Sequence, residues 1–316
     1  MKNNTIIYSL IKIIVIAGCF VYIGKKLYTY NNELNFNNIF TYINKNSLYF
    51  VLILLLMPIN WSFESIKWKF LIKNIKIISF PESLKAVLCG ITASMITPNR
   101  VGEIAGRVFS VKNKRKDVLF STVTGSISQL SITIIFGLAG LILFFYLFPD
   151  KTILSDLYRI GLIILFIILI FITFYLYFNI KLIDKLLKKI KWFHKIHNAA
   201  SILSAYNRKE LLVVLLFSSI RYMIFVMQYK LLFSIFELET SLIETYIIIS
   251  ATYLISSLLP SFTVVEFGIR GSVIIFFTEI FYADYTGAFI SSVFMWLINL
   301  AIPAIIGSYF VLKLKS

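Results

Sequence analysis

The chain has 316 residues, is 59% hydrophobic and carries a formal net charge of +16. Its mean hydropathy of +0.86 lies far above that of a soluble domain, and no stretch of about 80 residues is free of membrane-length apolar runs, which leaves no room for a separate soluble catalytic domain. The positive charge does not point to nucleic acid. It falls in loops between apolar runs, where lysine and arginine mark the cytoplasmic face and attract anionic lipid heads.

In chain order, the apolar runs predict an N-terminal span over 5–23, then spans near 47–66, 118–147, 159–178, 210–236 and 286–312. The first run lacks a small-residue cleavage site and reads as a retained helix rather than a signal peptide. Residues 24–46 read as a loop. Residues 83–110 and 243–281 differ from the spans. Each is apolar on both sides of a charged break, with first arms of about 15 residues at 83–97 and 245–259, shorter than the roughly 20 needed to cross a bilayer core. Each reads as a re-entrant pair of half-helices. The tract 181–197 sets Leu182, Ile183, Leu186, Leu187 and Ile190 at helical spacing among lysines, the pattern of an interfacial amphipathic helix.

Charge gives an orientation. Lysines 67, 69, 73, 76 and 85, the run from Lys112 to Lys116 and the basic tract 181–209 are expected in the cytoplasm with both termini. The acidic residues Glu237, Glu239, Glu244, Glu279 and Asp284 around the second break are expected outside. The first pair then opens inward and the second outward. Units 47–147 and 210–312 become an inverted-topology repeat. The sequence supports duplication: Ile59-Asn60-Trp61 and, six residues on, Trp68-Lys69-Phe70-Leu71 align with Ile220-Arg221-Tyr222 and Tyr229-Lys230-Leu231-Leu232. Trp68 stands 30 residues before Pro98, and Tyr229 stands 31 before Pro260. The predicted fold is therefore an all-α polytopic membrane protein, a single transmembrane domain of two inverted repeats.

The breaks hold the candidate binding residues. Glu103 and Arg107, and Glu266 and Arg270, are four apart, so each pair shares one helix face. Pro98 and Pro260 end the incoming arms. Gly102 and Gly268 are expected to allow unusual dihedrals and close approach at the turn. The outgoing arms are expected to begin near Val101 and Phe267, with free N–H groups turned to the membrane interior. Arg100, Arg107 and Arg270 then make two anion-seeking tips. Arg221 lies near the middle of its span, where a charge costs roughly 2.5–3.5 kcal/mol on insertion scales and needs a partner or a cavity; Glu103 and Glu266 are the expected partners. Asn60, Gln129 and Asn299 are polar groups inside spans, as helix–helix hydrogen bonds require. Cys19 and Cys89 sit in apolar surroundings and read as small hydrophobes, not a disulfide. His194 and His197 alone make a poor metal site, and no cofactor is expected.

The pattern around Trp68-Lys69, Thr97-Pro98-Asn99-Arg100-Val101-Gly102-Glu103, Glu266-Phe267-Gly268-Ile269-Arg270-Gly271 and Asn299-x3-Pro303-x3-Gly307 resembles the lysylphosphatidylglycerol synthase transmembrane, or flippase-like, family over roughly 10–312. The resemblance implies a bundle that moves a modified lipid to the outer leaflet. In fused members a cytosolic domain does the aminoacyl transfer, and that activity is not expected of this chain. The chain departs from the family at Gly106-Arg107, where an Arg usually stands one residue closer to the Glu, at Ser128-Gln129, where a Glu-Arg pair is frequent, and at Trp296, often an Arg. These departures weaken the case for a lysyl-lipid substrate rather than for a lipid.

The expected function is translocation of a phospholipid or lipid-linked headgroup across a bacterial inner membrane. Arg100, Arg107, Arg221 and Arg270 with Glu103 and Glu266 form the substrate site. The alternatives are a secondary transporter of a small anionic solute and a non-transporting membrane partner of a lipid-modifying enzyme. The sequence shows no nucleophile with a base and no nucleotide loop, so the chain is not expected to be an enzyme by itself. Its expected partners are anionic membrane lipids, and its oligomeric state is not fixed by the sequence.

Overall fold

A computed structural model describes residues 21, 25, 36–95, 97, 100–111, 114–179, 206–259, 263–282 and 284–313. All regular structure among them is helical. The expected span 5–23, apart from Val21, and the tract 181–197 lie outside the described residues, as do Pro98, Asn99 and Pro260. The helices are α1 (Phe36–Lys45), α2 (Ser47–Ile72), α3 (Phe80–Met95), α4 (Val101–Phe109), α5 (Arg115–Leu147), α6 (Asp156–Phe178), α7 (Arg208–Ile235), α8 (Leu242–Leu258), α9 (Thr263–Phe281), α10 (Thr286–Trp296) and α11 (Ile302–Lys313).

Among the described residues, five helical stretches are long and apolar enough to cross a membrane: α2, α5, α6, α7 and the α10–α11 run. They match in place the five expected spans from 47–66 onward. Their ends differ where polar residues extend the helix beyond the apolar run. α2 continues to Ile72 and carries the buried Lys67 inside it, so Lys67 is not a loop cation. Residues 36–45 of the expected loop form α1. The last span is not one rod: a π-helical turn, Leu297–Ala301, separates α10 from α11, just before Pro303, whose ring nitrogen cannot donate to the ladder. α6 leaves most of its surface outside the bundle, with only 6% of its apolar window buried. Its uniformly apolar face is what contact with hydrocarbon requires.

The two broken segments form as helix pairs, with arms that differ slightly from expectation. The first pair is α3 and α4. The second is α8 and α9, and α9 begins at Thr263, four residues before Phe267. Glu266 therefore sits in the first turn of α9 rather than ahead of it. Capping explains where the incoming arms start. Ser79 and Glu82 exchange hydrogen bonds at the start of α3, the Ser79 N–H donating to Glu82 Oε2 at 2.7 Å. Ser241 and Glu244 form the same reciprocal box at α8. These serines stand equally far before Pro98 and Pro260.

Packing crosses between the halves. α3 lies along α11, with Thr92 Oγ1 donating to the Ala304 carbonyl at 2.8 Å, and Gly307 opens space for Leu88 and Thr92. α8 lies along α5, where Gly137 faces Leu254 and Gly140 faces Ser250. Small residues at such contacts let backbones approach closely, which is how helices associate where the hydrophobic effect is absent. α2 and α7 run antiparallel through the centre, joined at one level by Gln228 Nε2 to the Ile53 carbonyl (3.0 Å) and at another by Lys67 Nζ to Ser218 Oγ (3.3 Å).

Candidate functional site

The break between α3 and α4 is built from three close approaches. Gly102 lies against the Ala93 carbonyl and the Thr97 side chain, and Gly90 and Gly106 meet face to face. A Cβ on Gly106 would stand 2.6 Å from Gly90 Cα, so the two arms touch backbone to backbone. None of the described glycines has a positive φ. The expected role of Gly102 and Gly268 in unusual dihedrals is therefore not the one used: Gly102 serves close approach, and Gly268 is a buried helical residue whose carbonyl accepts from Ser272. The left-handed residue is Arg100, at φ 55° and ψ 24°. The Gly102 N–H donates to Thr97 Oγ1 at 2.8 Å, so one donor expected to be free at the tip of α4 has a partner.

Inside the bundle is a chamber of about 670 Å³. Five of the six expected binding residues line it: Arg100, Glu103, Arg221, Glu266 and Arg270. Arg107 stands behind the wall, bonded to two of the carboxylates. The residues from both breaks face the same space.

The centre of the charge network is Glu64, which sequence reasoning missed. It is 2% exposed and accepts from Arg107 Nη1 at 2.6 Å, from Lys67 Nζ at 2.8 Å and from Arg221 Nη1. The expected partner of Arg221 was Glu103 or Glu266; the observed partner is Glu64. The reason is position: Glu64 lies one turn beyond Asn60 on α2, on the face that meets α7. A lone glutamate inside an apolar span was the available signal, since such a group in a span needs a cation. Arg221 is further held by Asn60 Oδ1 (3.0 Å), by Gln129 Oε1 (3.1 Å) and over the Trp61 ring at 5.1 Å. Arg107 also bonds Glu103, and Arg100 approaches that carboxylate only to 3.8 Å. Arg270 bonds Glu266 and lies over the Tyr253 ring at 4.8 Å.

Asn60 and Gln129 are thus parts of the arginine's setting, and Asn299 links the π turn to α7 through Gln228 Oε1 at 3.1 Å. The charges do not cancel. Lys67, Arg100, Arg107, Arg221 and Arg270 face Glu64, Glu103 and Glu266, an excess of two positive charges in a low-dielectric interior. Such a site favours an anion, and guanidinium groups suit phosphate through paired N–H donors.

The order of these motifs along the chain can be matched as a whole. A model of the family described as the lysylphosphatidylglycerol synthase TM region matches residues 9–307. The chain belongs to this family. That membership, with the long apolar helices, makes it a multi-pass membrane protein of a kind associated with lipid modification or transport. No curated protein and no solved structure matches it. Of the residues that carry the family resemblance, Arg100, Glu103, Glu266, Arg270 and Asn299 line the chamber.

Proposed function

We propose that this chain is a translocase of a phospholipid or lipid-linked headgroup in a bacterial inner membrane, with both termini in the cytoplasm, and that it carries out no chemical step of its own. The observation that supports this most directly is the chamber, with its excess of cations over carboxylates once Lys67 and Arg107 are included, and walls drawn from both broken helix pairs. A phosphate diester would sit among Arg100, Arg221 and Arg270. Glu64, Glu103 and Glu266 hold those arginines when no substrate is bound.

In this reading the broken pairs are re-entrant and the two halves are inverted repeats. The exchange of partners supports it. α3 of the first half packs on α11 of the second, and α8 of the second packs on α5 of the first, each across a pair of small residues, Ala304 and Gly307 in one case and Gly137 and Gly140 in the other. The matched capping boxes at Ser79 and Ser241 and the antiparallel α2 and α7 follow the same pattern. Rocking of one half against the other then alternates access to the shared chamber. The basic loops would rest on anionic lipid, and a lipid-modifying enzyme is the natural supplier of the substrate.

The test is headgroup transfer in reconstituted vesicles. Replacing Arg270 alone leaves Glu266 buried without its partner, which is itself costly. The double variant Glu266→Gln with Arg270→Gln removes the charge pair together. Transfer should fall to the rate of protein-free vesicles while the detergent-solubilised variant keeps the elution profile and melting behaviour of the unmodified protein. Transfer at the unmodified rate rules the reading out.

A further inference from the structure

Among the described residues that line the chamber, four are exposed: Ser126, Leu130, Ser257 and Leu258. They come from two places only, the middle of α5 and the end of α8. Leu130 is 48% exposed and Leu258 68%. The other described lining residues are buried or half-buried. Among the described residues, the way from the chamber to the outer surface therefore runs between α5 and the end of α8.

Local packing explains the gap. α5 and α8 are antiparallel and are pressed together where Gly137 and Gly140 admit Leu254 and Ser250, and the Tyr246 hydroxyl ties them by donating to the Phe136 carbonyl at 2.9 Å. One turn further on, Thr133 and Ser257 already belong to the chamber wall. α8 ends at Leu258, so the close contact stops where the opening begins. Leu130 lies near the middle of the 33-residue α5, roughly 22 Å from its start at about 1.5 Å per residue. On a helix that crosses the bilayer this is hydrocarbon depth.

The chemistry of the rim matches that depth. The hydroxyl of Ser126 donates to the Thr122 carbonyl at 3.3 Å and that of Ser257 to the Leu254 carbonyl at 2.7 Å. Their polar groups are thus bonded to their own helices, and the leucines are left as the contact surface. The rim residues carry no charge; the charged residues stand further in, at Arg100, Glu103, Arg270 and Arg221. A dissolved anion would have to cross hydrocarbon to reach an apolar mouth at this depth, at a high cost in lost hydration. A lipid is already there.

We propose that a phosphate-bearing lipid loads sideways through this mouth. Its headgroup passes between α5 and α8 to the chamber cations, and its hydrocarbon chains stay outside against Leu130 and Leu258. The proposal rests on the translocase reading and adds to it the entry route and the requirement for hydrocarbon chains.

The experiment uses Leu130→Trp and Leu258→Trp, each alone to narrow the mouth and both together to fill it. Leu165→Trp, on the lipid-facing side of α6 where Leu165 is 46% exposed, controls for added tryptophan. Each protein is reconstituted in vesicles containing headgroup-labelled phosphatidylglycerol, and transfer between leaflets is timed. The tryptophan pair should lower transfer at least about tenfold; each single tryptophan should lower it by less than the pair; Leu165→Trp should not change it. Undiminished transfer through the tryptophan pair, or through both single tryptophans, overturns the sideways route and leaves the translocase reading standing. An unmodified protein that carries glycerol phosphate across the vesicle wall but moves no lipid overturns both.

Discussion

Arg221 Nε donates to Asn60 Oδ1 at 3.0 Å, and these two residues occupy matching positions in the two halves, each between an isoleucine and an aromatic residue. In the proposed inverted-repeat arrangement, a residue that touches its own counterpart lies on the axis relating the halves. The charge sits on the Arg221 side and its carboxylate, Glu64, on the α2 side, so the contact joins unlike groups. The network around it couples α2, α4 and α7 through one carboxylate.

That coupling is measurable. Glu64→Gln removes one negative charge from three buried cations, and Arg221→Gln leaves Glu64 with two. Each alone should destabilise the protein by about 3–5 kcal/mol, the usual consequence of breaking a buried ion pair. The double variant should cost less than the two together, by about 0.5–3 kcal/mol of interaction energy. Denaturant unfolding in detergent micelles reads all four corners of the cycle. Strict additivity would show that Glu64 and Arg221 act independently.

The glycines give a prediction with a built-in contrast. A Cβ at Gly102 collides with the Ala93 carbonyl, a backbone atom that cannot step aside. Gly102→Ala should force α3 and α4 apart and lower stability by about 1–3 kcal/mol, the usual cost of overpacking. Gly161, inside α6, has nothing within 4 Å of the same added carbon. Gly161→Ala should raise stability by up to about 1 kcal/mol, the helix-propensity difference between the two residues. Melting temperatures of the two variants decide the point, since opposite signs are required.

The spans and both breaks were legible because bilayer thickness and the cost of unsatisfied backbone in lipid leave few readings of a hydropathy pattern. Arg100, Glu103, Arg221, Glu266 and Arg270 were legible as residues that gather round one interior chamber for the same reason: a charge in an apolar segment demands an explanation. What escaped was pairing. Glu64 stands in α2, outside both breaks, and its contacts with Arg107 and Arg221 bridge 43 and 157 residues of chain. No local spacing encodes such distances. Lys67 was placed in a loop because lysines follow it at 69 and 73, although helical phase puts it one turn from Glu64, on the same face. The capping boxes at Ser79 and Ser241 were readable and would have strengthened the repeat; their S-x-x-E form is a helix-start signature.

Opposed orientation of the halves is open to direct labelling. Glu82 and Glu244 lie in the first turns of α3 and α8. With Cys19 and Cys89 replaced by serine, Glu82→Cys should react with a membrane-impermeant maleimide only from the cytoplasmic side. Glu244→Cys should react only from the outside. Reaction of both from one side would remove the inverted arrangement, and with it the rocking of one half against the other.

Arg100 separates function from stability most cleanly. It holds φ 55°, as does Lys114, and a non-glycine residue in the left-handed region stores about 1–2 kcal/mol of strain. Arg100 lines the chamber and is only loosely held, 3.8 Å from Glu103; Lys114 is exposed, just before α5. Glycine at either position relieves the strain, so both Arg100→Gly and Lys114→Gly should melt at or above the temperature of the unmodified protein. Headgroup transfer should fall at least about tenfold, ~1.4 kcal/mol of lost stabilisation, in Arg100→Gly alone. If transfer survives there, Arg100 does not bind the headgroup, and the strain at the start of α4 serves only to turn the chain out of the break.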